Sequence, residues 1–211
     1  MKTFGLAALA LAALLLVLPG TGQAQGDIAW GVKGGLNVTG LRGAGGAFDA
    51  KYGLVAGGFG TFDFAPELGV EVDALLSMKG AKVTGAGVDP SGNITGPFVQ
   101  GFYILDYLEF PILARLNAPA YGRLTPHVYA GPTIAFKLGA RARFLGLPTS
   151  DLDAARSPDS GLAFGIGADM ALGAHKLVLD ARYGLGLTNA FNGSGPDVKN
   201  DSFSLLAGVA F

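Results

Sequence analysis

Between Leu68 and Lys82 most of the charged and most of the bulky apolar side chains fall on opposite parities. Leu68, Val70, Val72, Ala74, Leu76 and Met78 fall on one, and Glu71, Asp73, Ser77 and Lys79 on the other. Successive side chains of a strand point to opposite faces, so this spacing predicts a strand with one greasy and one polar side. A strand of this kind must set its apolar side against a core or against hydrocarbon. Its polar side must lie where ions find partners or water.

The pattern recurs along the chain. Ile28–Val38 sets Trp30, Val32, Gly34 and Leu36 against Gly31, Lys33, Gly35 and Asn37. Phe102–Asn117 sets Leu108, Phe110, Ile112, Ala114 and Leu116 against Tyr107, Glu109, Leu113 and Arg115. His127–Phe144 alternates Val128, Ala130, Ile134, Phe136 and Leu138 with Tyr129, Thr133, Lys137 and Arg141. Gly161–Leu172 and Lys176–Leu187 carry Asp169, Asp180 and Arg182 opposite their Leu, Ile, Phe and Met residues. Asn200–Phe211 ends the chain with Phe203, Leu205, Ala207, Val209 and Phe211 on one parity. Leu54–Phe64 is the least regular: placing Asp63 inward sends Phe62 and Phe64 outward but leaves Phe59 inside. Asp106 is a charge on the apolar parity, at the loop end of its strand. Pro111 and Pro132 fall within predicted strands, where a missing donor calls for a bulge or a different boundary.

Eight strands result, and their connections alternate in length. Gly40–Ala50, Gly85–Gly96, Gly146–Pro158 and Asn189–Asp201 are long and polar, whereas Ala65–Glu67, Ala118–Arg123 and Gly173-Ala174 are tight turns. An antiparallel up-and-down barrel produces this rhythm, with the long loops at one mouth. The closing strand must then pair with the first, leaving no edge to be satisfied by lipid. Volume assigns the two faces. The bore of an eight-stranded barrel holds side chains and little else. The bulky face therefore points out and the face mixing Gly and Ala with a few long charged residues points in. A soluble barrel would reverse these faces and carry far more surface charge. The expected fold is thus all-β, an eight-stranded transmembrane barrel.

Composition agrees. Charged residues make up 15%, Gly numbers 35, and mean hydropathy is +0.42 without a second long apolar run. Met1–Ala24 has a Lys2 start, an apolar Phe4–Leu18, a Pro19-Gly20 break and a small-residue end, the pattern of a helical secretory signal. The expected organisation is a signal peptide at 1–24 and an outer-membrane domain at 25–211. With no Cys there are neither disulfides nor thiolate metal sites, and a net charge of −1 without a basic cluster gives no nucleic-acid footprint.

Val70–Gly80 (VEVDALLSMKG), Asp106–Arg115 (DYLEFPILAR), His127–Pro132 (HVYAGP) and Tyr183–Asn189 (YGLGLTN) resemble the small outer-membrane β-barrel family described as porin-like or PorT-like. The likeness spans most of the mature chain, and the Tyr-Leu-Glu-aromatic-Pro run is its most specific part. Where the family often has Glu and an aromatic, this chain has Asp73 and Leu76. The resemblance implies an eight-stranded outer-membrane barrel without a single activity, and its secretion-linked members supply one partner class.

Inside a narrow lumen each charge needs a counter-ion. Glu71, Asp73, Glu109, Asp169 and Asp180 are expected to meet Lys33, Lys79, Arg115, Lys137 and Arg182 in a structural network. An outer-leaflet catalytic triad lacks a candidate base, because His127 and His175 both fall near the short turns. Asp151, Asp153 and Asp159 in the third long loop lack Ca²⁺-loop spacing, and the Gly-rich stretches Gly43–Gly46 and Gly57–Gly60 lack the phosphate-loop pattern. No catalytic residue, cofactor or metal is expected. The reading is a non-enzymatic, monomeric envelope protein that meets outer-membrane lipid, the barrel-assembly machinery on insertion, and an envelope partner through its extracellular loops. A narrow channel or an accessory barrel of a secretion system are the alternatives.

Overall fold

Strands that alternate in this way are satisfied only when each finds two neighbours, and the computed structural model shows the ring closing. Residues 27–42, 48–88, 94–144, 150–151, 157–189 and 198–211 are described. The expected signal segment and parts of the long loops lie outside them. In chain order the long strands are β1 Asp27–Arg42, β2 Lys51–Ala65, β3 Leu68–Val88, β4 Ile94–Asn117, β5 Leu124–Phe144, β6 Asp159–Leu172, β7 His175–Gly186 and β8 Lys199–Ala210. Each pairs antiparallel with the next, and β8 returns to β1 from Gly31↔Ala210 to Arg42↔Lys199. The Phe211 N–H donates to Trp30 O at 2.8 Å, fastening the seam at the turn end. The eight-stranded antiparallel barrel read from the sequence is therefore the fold.

Two of the tight turns depend on glycine. Gly122 and Gly173 have φ of 64° and 67°, in the left-handed region where a side chain is strained. At the opposite mouth β3, β4 and β5 outgrow the ring. Ladder pairs continue through Ala86↔Phe98 to Val88↔Ile94, so most of the loop expected at Gly85–Gly96 is strand. Gly-rich composition suggested a loop, but a hairpin partner supplies the hydrogen bonds that composition does not reveal. Phe48–Asp49 and Ser150–Asp151 add two-residue strands to the outer edges of β3 and β5.

Two other expectations need correction. The prolines require no bulge of their own. Pairing of β3 with β4 skips from Val72↔Ile112 to Leu75↔Glu109 around Pro111 without a change of register, and Pro132 sits in an unbroken ladder with Leu162. The bulge lies higher on β5, where Asp106 pairs with Gly139 and Tyr107 with Lys137, leaving Leu138 without an opposite residue. One extra residue inverts the parity above it. Ala140 consequently turns inward, and Arg141 turns outward to meet Asp106 at 3.0 Å. Arg141 is thus not a lumen residue, and the two charges that broke or would break the pattern pair with each other on the outer wall.

Elsewhere the faces divide as expected. Outward Leu36, Ile112 and Leu179 are 60%, 51% and 49% exposed, whereas inward Leu113 and Tyr107 are 0% and 1%. Trp30 and Phe211 lie 5.0 Å apart at the turn-end rim, with Phe62 and Phe64 6.2 Å apart nearby. Phe59 does point inward, as its parity required.

Depth in hydrocarbon gives the test of this surface. Leu179→Arg, at mid-height, should cost roughly 2–4 kcal/mol in urea titrations of liposome-folded protein, and Leu187→Arg near the loop end only about 0–1 kcal/mol. Equal costs at the two positions would contradict the lipid-facing assignment.

Candidate functional site

The ten charged residues expected in the bore come from six strands, and strand alternation aims each of them inward. Lys33 on β1 is the hub. Its Nζ lies 2.6 Å from Glu71 Oε1, 3.1 Å from Asp73 Oδ1 and 3.3 Å from Asp180 Oδ2. Arg182 on β7 reaches back to the same acids of β3, with Nη1 2.6 Å from Asp73 Oδ2 and Nη2 3.1 Å from Glu71 Oε1. Arg115 on β4 places Nη1 3.4 Å from Glu71 Oε2, and its Nη2 pairs closely with Asp169 Oδ2 on β6. Seven of the expected residues therefore form one connected cluster: Lys33, Glu71, Asp73, Arg115, Asp169, Asp180 and Arg182.

The other three stand higher. Lys79 and Glu109 pair with each other on β3 and β4. Lys137 is half-buried opposite Tyr107 and is not part of the Lys33 cluster; its backbone N–H donates to Ser157 Oγ at 3.3 Å. Asp159 is corrected from loop to strand. It opens β6 with its side chain buried in the bore, where Asn200 Nδ2 donates to its Oδ2 at 2.9 Å.

Several participants escaped the sequence reading. His127 is buried within the cluster: Nδ1 lies 3.0 Å from Arg115 Nη2, and Nε2 lies 3.3 Å from Asp180 Oδ1. A guanidinium only donates, so Nδ1 accepts and the ring N–H at Nε2 points to Asp180. The signal was available, because His127 shares the inward parity of Tyr129. Asn117 accepts from Arg115 Nε at 2.8 Å and donates to Asp63 Oδ1 at 3.2 Å. The Tyr129 hydroxyl accepts from Arg182 Nε at 3.4 Å. Gly167 leaves room for this arrangement, since a Cβ there would stand 2.3 Å from His127 Nε2 and 2.4 Å from Asp180 Oδ1.

Apolar layers flank the Lys33 side of the cluster above and below. Phe59, Val178 and Ala210 lie one inward step toward the turns, and the Lys33 ammonium sits 4.6 Å from the Phe59 ring centroid. Val55, Leu75 and Leu206, with Leu113 and Tyr129, lie one inward step toward the loops, and Ala163 packs with the last two opposite Gly184, one step above Arg182. Between these layers the side chains of Lys33, Glu71, Asp73, Asp180 and His127 are 0% exposed. Loopward of the cluster, two cavities of about 20 and 30 Å³ share Lys79, Glu109, Thr133 and Gly184 as walls. Each has space for one or two waters. Among the described residues, no group of three or more His, Cys, Asp or Glu is placed to hold a metal ion. His175 packs edge-on against Phe211 with centroids 5.2 Å apart, at the turn end of the barrel.

Residues 23–192 match the family described as outer membrane protein beta-barrel domain. No curated protein matches the chain. Among solved structures, the chain is similar to Neisserial surface protein A, at 16% identity over 86% of this chain and 97% of that one, with a TM-score of 0.48. It is also similar to the attachment invasion locus protein Ail of Yersinia pestis in complex with the heparin analogue sucrose octasulfate, at 15% identity over 89% and 100% of the two chains and a TM-score of 0.45. For OprG of Pseudomonas aeruginosa the values are 14%, 89%, 97% and 0.43.

Removing one partner of a buried ion pair leaves the other charge uncompensated, at a cost of about 3–5 kcal/mol. Arg182→Met should therefore destabilise the folded barrel by about that amount in urea titrations. Adding Asp73→Leu should recover a large part of the loss. No recovery in the double variant would mean that the two side chains do not act as a pair.

Proposed function

From the premise that this chain belongs to the outer membrane protein beta-barrel domain family, we propose that it is a plugged, non-conducting barrel of the outer membrane. Its bore network serves stability, and its extracellular loops make the contacts. The observation that carries this reading is the sealed tier around Lys33, where five ionisable side chains are withdrawn from water between two apolar layers. A water-filled path would have to hydrate at least some of these groups. Here their valences are spent on one another. An ion passing this level would have to break several charge-assisted hydrogen bonds at once, each stronger than a neutral one.

The network is cross-strand, joining β1, β3, β4, β5, β6 and β7, and such links hold the register of a closed sheet. On this reading Lys79, Glu109 and Lys137 belong to the wetter loop-side half of the bore. The protein acts as a monomer, is exported by the signal at 1–24, and reaches its place through the barrel-assembly machinery. It is non-enzymatic on the same reading. The His127 ring is engaged by Arg115 and Asp180, and His175 stands at the turn end, remote from the outer leaflet. Lipopolysaccharide incubated with the purified protein should keep all its acyl chains by mass spectrometry.

Planar-bilayer recording of refolded protein tests the main reading. Wild-type barrels should give no steady single-channel openings, whereas the triple variant Lys33→Ala, Glu71→Ala, Arg182→Ala should conduct if it folds, as judged by heat-modifiable mobility. Steady openings of the wild type would overturn the plugged-barrel reading.

A further inference from the structure

Along β1 the outward side chains stay apolar from Ile28 to Val38. At about 3.3 Å per residue and a tilt near 40° they cover ~25 Å of height, the apolar thickness of an outer-membrane barrel. The next outward positions on the β1–β8 ladder are Gly40↔Asp201 and Arg42↔Lys199. Asn200 lies between Asp201 and Lys199 and points into the bore toward Asp159, so its two neighbours point out. Arg42 and Lys199 therefore stand directly opposite each other on the outer wall, just above the hydrocarbon. Like charges in that relation repel.

One carboxylate lies beside the two cations, and it pairs with Arg42. Arg42 Nε lies 3.3 Å from Asp201 Oδ2, and its Nη2 donates to Gly186 O at 3.4 Å. The Tyr183 hydroxyl donates to the same Asp201 oxygen at 3.3 Å. The Arg42 side chain is still 54% exposed, and among the described residues no carboxylate pairs with Lys199. The outer wall at β5 differs, because Arg141 has Asp106 at 3.0 Å and Asp151 as its cross-strand neighbour. Below the Arg42–Lys199 pair, Phe203 is exposed beside Tyr183, and the Tyr183 ring stacks tilted on Phe164 at 5.4 Å. A cationic pair thus caps an aromatic shelf that faces lipid.

We propose that Arg42 and Lys199 bind the phosphate of an outer-leaflet glycolipid headgroup, with Asp201 and Tyr183 orienting the Arg42 guanidinium. The guanidinium offers its outer N–H groups to two phosphate oxygens, and the ammonium adds a point charge. Acyl chains of the same lipid lie down the wall over Phe203 and Leu205. Free phosphate shares the headgroup chemistry but gains nothing from this shelf. The inference rests on the outer-membrane placement and is independent of whether the bore conducts.

Native mass spectrometry of the refolded protein in detergent tests it, with bis-phosphorylated lipid A as the probe. The wild type should retain lipid A, and Arg42→Gln with Lys199→Gln should bind it about tenfold more weakly. Arg123→Gln at the turn end should bind as the wild type does. Lipid A stripped of both phosphates should be retained no better by the wild type than by the double variant. Heat-modifiable gel mobility establishes that each variant is folded, and Arg42→Lys should recover part of the binding. Equal lipid A retention by the folded double variant would overturn the site. Displacement of lipid A by millimolar inorganic phosphate would overturn the lipid assignment and leave a free-anion site.

Discussion

An ion withdrawn from water must be compensated by another ion, and in this barrel that requirement reaches across most of the wall. The bore is too narrow to hydrate what points into it. Lys33, Arg115 and Arg182 are therefore held by Glu71, Asp73, Asp169 and Asp180, with His127, Asn117 and Tyr129 taking up remaining donors and acceptors. Apart from Arg115–Asn117, which lies within β4, each of these contacts joins different strands. The compensation that makes burial tolerable is thus also a set of cross-links through the interior of the sheet.

The outer face obeys the complementary rule. Hydrocarbon accepts no backbone group without a partner, so the ring must close, and β8 does this against β1 down to the terminal Phe211. The same rule keeps charge on the outer wall, among the described residues, to its two ends. Arg141 and Asp106 meet at the loop end after the bulge at Leu138, and Arg42, Lys199 and Asp201 gather there at the seam. An outer-membrane location follows from the family and agrees with a wall whose exposed large side chains are mostly Leu, Ile, Val and Phe.

Much of this was legible in the chain because a strand has a period of two. That period placed Lys33, Glu71, Asp73, Arg115, Asp169, Asp180 and Arg182 on the inner face, and it kept Phe59 inside against its hydrophobic character. It failed at Arg141, since a bulge changes parity without leaving a mark in the local sequence. It also failed at the hairpin of β3 and β4, where Gly-rich composition suggested a loop but a paired backbone made strand. Nearness to a short turn masks His127, although its spacing from Tyr129 puts it in the bore.

Sequence alone determined which way most strand side chains face, how many long strands there are and which connections are the tight turns, because these are local consequences of alternation and turn chemistry. Tertiary structure decided which charge meets which. Lys33 and Asp180 are 147 residues apart in the chain and 3.3 Å apart in the bore. Only the closure, tilt and register of the sheet bring such positions to one height, and those are properties of the whole ring rather than of any strand within it.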